Sequence, residues 1–196
     1  LLTARSIALG APKQASLESM AQLYPDFRTQ IVTNAVADVT HFFPQSLAIS
    51  LEQSMIRPNV ADRDYFINAP NNRQGYVSSI FKGRGFGALP IVAVSAPIYI
   101  EDTFTGVVEG SLMFDYFSRL RPSLFSHQGE LVVLDSTNKV VYSSLDDFVE
   151  LQEITDDELS GFTDETRFKM FNPDNEQQFY ARVAHSSENS WVVLTM

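Results

Sequence analysis

Three apolar runs joined by very short connections constrain this chain most. Gly75–Phe81 (GYVSSIF), Leu89–Tyr99 (LPIVAVSAPIY) and Gly106–Phe114 (GVVEGSLMF) are rich in β-branched and aromatic residues, the composition of strands. The connections are Lys82–Ala88, which carries Gly83, Gly85 and Gly87, and Glu101–Thr105. Both are too short for a parallel crossover, so the three strands must run as an antiparallel meander. A second meander is expected from Phe168–Phe171, Gln178–His185 and Trp191–Met196. Each meander is preceded by a hairpin pattern. The first is Gln30–Thr33 with Val39–Phe43 around the turn Asn34–Asp38. The second is Glu130–Asp135 with Val140–Ser143 around Ser136–Lys139.

Helical segments fill the spaces between these strands. Leu1–Leu23 reads as one helix, with Ser16 as a cap, Leu17, Met20 and Ala21 at helical spacing, and Pro25 as the stop. Pro44–Met55 reads equally as a short helix or a loop. Asp115–Leu120 reads as the start of a helix, and Leu145–Glu165 as an acidic helix-and-loop stretch. The same order of elements therefore occurs twice, as an internal duplication of an α+β unit. Charge divides the chain at a similar place. Residues 1–120 hold 9 basic and 10 acidic side chains, and residues 121–196 hold 5 and 14. The shift near Arg119–Pro122 predicts two domains, 1–120 and 121–196; one domain with a single acidic face is the alternative.

The net charge of -10 disfavours nucleic acid and a polybasic membrane patch, both of which demand clustered Lys and Arg. The absence of Cys removes disulfides, thiol catalysis and cysteine-ligated zinc. The longest uncharged run, Gly85–Ile100, has 16 residues and is broken by Pro90 and Pro97. A spanning helix needs about 20 apolar residues, so membrane contact is expected only through segments outside this chain. No nucleophile elbow, P-loop or zinc-protease helix occurs. His41, His127 and His185 lack ligand spacing, and the Asp146–Asp147 and Asp156–Asp157–Glu158 groups lack the alternation of a calcium loop. No enzyme, metal or cofactor is expected.

One cluster carries chemistry. Asp62-Arg63-Asp64-Tyr65-Phe66 sets a cation among aromatics just before the first meander. The guanidinium fork of Arg63 matches a carboxylate. Tyr65 and Tyr76 add hydroxyls and walls, and Ser78 and Ser95 add polar contacts from neighbouring strands. Apolar walls with a few convergent polar groups make a small-molecule site. Equally, Arg63 could pair with Asp62 or Asp64 at the surface while Tyr65 and Phe66 fill a core.

ADRDYFINA (Ala61–Ala69), then GYVSSIF, LPIVAVSAPIY and FTGVVEGSLMF, resembles the membrane-distal half of a double Cache (dCache, or PDC) sensor domain. GELVVLDSTNKVVYSS (Gly129–Ser144) is similar to the opening hairpin of the membrane-proximal half, and NSWVVLTM to its last strand. The resemblance implies two PAS-like modules, each a central antiparallel sheet flanked by helices, on an N-terminal helix. It implies an extracytoplasmic, periplasmic sensor of a histidine kinase, diguanylate cyclase or chemoreceptor, with a homodimeric full-length receptor.

The resemblance also implies that a small ligand sits in the distal module. There Arg63 and Tyr65 would hold a carboxylate, with Phe66 supplying packing and Tyr76 and Ser78 lining the pocket. Amino-acid-binding relatives carry an aspartate for the ligand's amine where this chain has Ser111. An ammonium buried without a charge partner is costly, so the expected ligand is a carboxylate with no essential amine. The alternative is an interaction module that docks a partner protein through the acidic proximal half, using Asp146, Asp147, Asp156 and Asp157.

Overall fold

A computed structural model describes residues 2–47, 58–71, 73–84, 86–114, 131–155, 167–171, 178–185 and 191–195. The chain separates into two compact units. One comprises Leu1–Ser78 with Lys82–Met113, the other Ser79–Phe81 with Phe114–Met196.

The first unit opens with two helices, α1 (Leu2–Ala8) and α2 (Lys13–Leu23). The single helix expected over Leu1–Leu23 is therefore broken. Gly10 adopts φ +94° just after α1, a glycine stop, and Pro12 occupies the N-cap of α2. Ser16 is not a cap either. It lies inside α2, and its hydroxyl donates to the Pro12 carbonyl at 2.9 Å.

The hairpin of β1 (Phe27–Thr33) and β2 (Val39–Phe43) follows. The Asn34 side-chain oxygen closes its turn by accepting from the Val36 and Asp38 N–H groups at 3.0 and 2.9 Å. Beyond the one-turn α3 (Asp64–Ile67) come β3 (Tyr76–Val77), β4 (Phe81–Lys82), β5 (Pro90–Ile100) and β6 (Thr103–Leu112). The sheet order is β2-β1-β6-β5-β3, with antiparallel neighbours throughout.

Two strand boundaries differ from the sequence reading. The run Gly75–Phe81 is not one strand, because residues 78–80 leave the ladder. The turn expected over Glu101–Thr105 is only Glu101–Asp102, both left-handed at φ 46° and 65°. That geometry matches the twist of paired strands, so β6 starts at Thr103. Asp102 pairs with Arg73 at 2.8 Å, and Arg73 lies over the Tyr99 ring at 4.8 Å.

Strand alternation gives this sheet two chemically different faces. Val32, Ala96, Ile98 and Val108 pack with Ala4, Ile7, Leu17 and Met20 of the helices. The buried Gln30 amide ties β1 to α2: in the amide orientation that satisfies both ends, its nitrogen donates to the Leu17 carbonyl at 2.9 Å and its oxygen accepts from Ala21 N–H at 3.2 Å. The other face carries the polar residues described below.

The second unit repeats the topology. Its strands are β7 (Leu131–Leu134), β8 (Val140–Ser143), β9 (Arg167–Phe171), β10 (Gln178–His185) and β11 (Val192–Thr195). Their order is β8-β7-β11-β10-β9. In both units the hairpin's first strand pairs with the last strand of the meander. Residues 145–155 form turns without a helix. Backbone bonds to the β8 hairpin hold them, among them Val140 N–H to the Gln152 carbonyl at 2.8 Å and Ile154 N–H to the Asn138 carbonyl at 2.9 Å. The expected helix start at Asp115–Leu120, and the rest of the acidic stretch, lie outside the described residues.

Asp135 is the fully buried hub of this unit. Its Oδ1 accepts from Thr137 N–H, Thr137 Oγ1 and Lys139 N–H at 2.7, 2.8 and 3.1 Å. Its Oδ2 accepts from Ile80 N–H at 2.8 Å. Asp135→Ala strands several buried donors at once and is expected to cost about 2–3 kcal/mol. Urea denaturation measures the loss; a midpoint equal to wild type would contradict the hub.

Candidate functional site

The face of the first sheet opposite the helices collects the polar side chains. Direct register partners run Tyr76, Ser95, Glu109 and Ile31 across β3, β5, β6 and β1. Two residues along, Ala93, Ser111 and Thr29 form the next row of β5, β6 and β1. Ser78 joins this row from just beyond β3: its N–H donates to the Ala93 carbonyl at 2.9 Å, and its Oγ accepts from Ala93 N–H at 2.8 Å. Ser78, Ser95, Glu109, Ser111 and Thr29 are all buried. A sheet face with this many buried polar groups is not a simple packing surface.

Helix α3 delivers the other side chains. Arg63 stands at its N-cap in extended conformation. It is half-buried, and its Nη2 donates to the Lys82 carbonyl at 3.3 Å. Both neighbouring acids have partners besides Arg63. Asp62 takes a two-pronged grip from Arg84, with Nη1 on Oδ2 at 2.7 Å and Nη2 on Oδ1. This pairing holds the Asp62 carboxyl below its ordinary pKa. Asp64 accepts from Tyr65 N–H at 2.7 Å and from the Tyr76 hydroxyl at 3.4 Å.

Tyr65 is buried, and the Ser95 hydroxyl lies 3.5 Å from its carbonyl and from that of Tyr76. Burial drives the Tyr65 phenol far above its usual pKa. Glu109 adds to that rise, while Arg63 and Arg84 oppose it. The Tyr65 hydroxyl thus feels both Glu109 and Arg63. Tyr76 is raised by burial first and by Asp64 second.

The predicted residues Arg63, Tyr65, Tyr76, Ser78, Ser95 and Ser111 therefore gather around one sheet face. Phe66 differs from them. It stacks edge-on against Phe104 at 5.8 Å, which in turn stacks on Tyr99 at 5.8 Å, an aromatic packing cluster.

Sequence reasoning missed Glu109. It is 2% exposed in the middle of β6, and Ser111 Oγ donates to its Oε1 at 2.8 Å. Burial pushes its pKa up to about 8, against a smaller downward pull from Ser111. The signal was available: strand alternation puts residues 109 and 111 on the same face, so the choice of Ser111 should have drawn in Glu109. In the second unit, Asp146 and Asp147 are exposed, while Asp156 and Asp157 lie outside the described residues.

No protein-family model and no curated protein matches the chain. Solved structures do. An extracellular ligand-binding receptor from Desulfohalobium retbaense superposes with a TM-score of 0.75 at 13% identity, over 99% of this chain and 35% of that one. The ligand-binding domain of the Pseudomonas aeruginosa amino acid chemoreceptor PctB, in complex with L-Arg, gives 0.73 at 15% identity, over 99% and 82%. The sensor domain of the V. cholerae histidine kinase DctB gives 0.67 at 13% identity, over 99% and 80%. The chain thus spans about a third of the first of these proteins. No helix among the described residues is long and apolar enough to cross a membrane. With its duplicated hairpin-and-meander units and these structural likenesses, the chain has the fold of the Cache-type extracellular ligand-binding sensor domains of histidine kinases and chemoreceptors.

Proposed function

We propose that this chain is the extracytoplasmic sensor of a bacterial transmembrane receptor. The unit of Leu1–Ser78 with Lys82–Met113 is the membrane-distal, ligand-binding module and the other unit the membrane-proximal one. The ligand is a small carboxylate, held by the Arg63 guanidinium and walled by Tyr65 and Tyr76. Ser78, Ser95 and Ser111 supply the polar floor. The observation that carries this reading is the convergence of α3 and a buried polar sheet face in one unit. Similar folds are named as ligand-binding and sensor domains, including chemoreceptor domains in complex with L-serine and GABA. A bound ligand signals by favouring one receptor arrangement, and only to the extent that it binds the two arrangements unequally.

Thermal shift and calorimetry against a panel of carboxylates, amino acids, amines and sugars test the reading. A carboxylate present at 100 times its Kd is expected to add about 2.7 kcal/mol of stability. Arg63→Ala removes a charge-assisted contact and is expected to weaken binding by roughly 30-fold or more. The thermal midpoint of the unliganded variant should stay near wild type. Undiminished affinity in Arg63→Ala would sink the assigned site.

A further inference from the structure

Glu109 occupies the centre of the polar face, and nothing in the assigned roles uses it. Its strand neighbours offer it no charge: Ser95 stands opposite on β5 and Ile31 on β1. Thr29 and Thr33, also on β1, are uncharged. Among the described residues, Tyr65 is the titratable group coupled to Glu109; Arg63, Arg84 and Asp64 act on Tyr65 in turn, and Asp64 acts on Tyr76. Among the described residues, the one hydrogen bond to its carboxyl comes from Ser111 and lands on Oε1. No enclosed side-chain oxygen among those residues lacks a partner, so Oε2, which takes no bond from Ser111, is not sealed off from its surroundings.

Building on the ligand site assigned above, we propose that Glu109 binds ligand as the neutral acid. Its Oε2–H donates to a second oxygen acceptor on the ligand while Arg63 holds the first carboxylate. A buried carboxyl with no cation beside it among the described residues is more stable protonated, and its raised pKa agrees. The ligand class this selects is a small carboxylate with a further acceptor oxygen, such as a hydroxy acid, a keto acid or a dicarboxylate. Binding is then proton-linked. Ionising Glu109 removes the donor and sets a buried negative charge against the ligand's own, so affinity falls in alkaline solution.

The test uses malate, pyruvate, L-serine and 4-aminobutyrate as probes, with calorimetry at about pH 6.5 and about pH 9.5. With a pKa of about 8, only a few per cent of Glu109 stays protonated at the higher pH. Affinity for malate or pyruvate is therefore expected to fall about 30-fold. Glu109→Gln keeps a donor that cannot titrate, so its binding should persist at both pH values with the fall abolished. Thermal melts of each unliganded variant establish that it is folded.

Binding that strengthens at the higher pH, or that is confined to the amine-bearing probes, overturns the neutral-acid role in favour of an ionised Glu109 paired with an ammonium. Binding lost in Arg63→Ala but unchanged with pH overturns the role of Glu109 alone. Flat calorimetry with every probe, or probe binding that Arg63→Ala leaves intact, overturns the underlying site and this proposal with it.

Discussion

Gly106→Ala is expected to destabilise the first unit by about 4 kcal/mol or more. Gly106 sits in β6 at φ +149°, a backbone region that other residues avoid. A Cβ there would lie 2.1 Å from the Thr33 carbonyl oxygen and 2.8 Å from its carbon. Both are backbone atoms of β1, so no side chain can swing away. The approach is close because Thr33 is locked in place: it is fully buried, and its Oγ1 accepts from Val107 N–H at 2.9 Å. The register of β5 against β6 slips beside Gly106, between Ile98 and Tyr99, as expected where a strand glycine marks a bulge. Gly10 provides the control. It also has positive φ, but nothing lies within 4 Å of its Cβ position, so Gly10→Ala should cost only about 1–2 kcal/mol. Chemical denaturation of the two variants checks the contrast. Similar losses for both would show that the backbone dihedral dominates and the contact with Thr33 does not.

The parts of this fold that the sequence made legible are those set by local rules. Short connections force antiparallel pairing, so both hairpins and both meanders could be read from apolar runs and turn residues. What escaped depends on competition between signals or on distant partners. Leu1–Leu23 has helical spacing throughout, and Gly10 with Pro12 interrupts it; periodicity outweighed punctuation in the reading. The run Gly75–Phe81 alternates like a strand, yet Ile80 N–H finds the Asp135 carboxylate, 55 positions away in the chain. No local pattern encodes that bond. In the candidate site, Arg63 stands out in the sequence because a cation among aromatics is unusual. The engagement of Asp62 by Arg84 does not, because it closes over a loop between separate elements. Glu109 was not legible for a different reason: the motif singles out Ser111, and Glu109 stands two residues earlier on the same face.

Glu109 should also leave its mark on the stability of the unliganded protein. The folded chain keeps its proton up to about pH 8, whereas the unfolded chain releases it near the ordinary glutamate value of 4.5. Between these limits the native state binds the extra proton, so stability falls as pH rises, by about 1.4 kcal/mol per unit for a single group. The contribution is complete below about pH 4.5 and gone above about pH 8. Over that window the loss amounts to several kcal/mol, a large fraction of the roughly 5–15 kcal/mol of a typical domain. Glu109→Gln is nearly isosteric, can keep a hydrogen bond with Ser111 and has no proton to lose. The difference between wild type and variant in urea denaturation should therefore widen with pH, with the variant the more stable near pH 8. Asp62 works in the opposite direction. Its pKa is lowered by Arg84, so its contribution is lost only in acid and is common to both proteins. Parallel pH profiles for the two proteins would mean that Glu109 is already ionised in the native state. The buried face would then hold a compensating cation, and the chemistry it selects in a ligand would change sign.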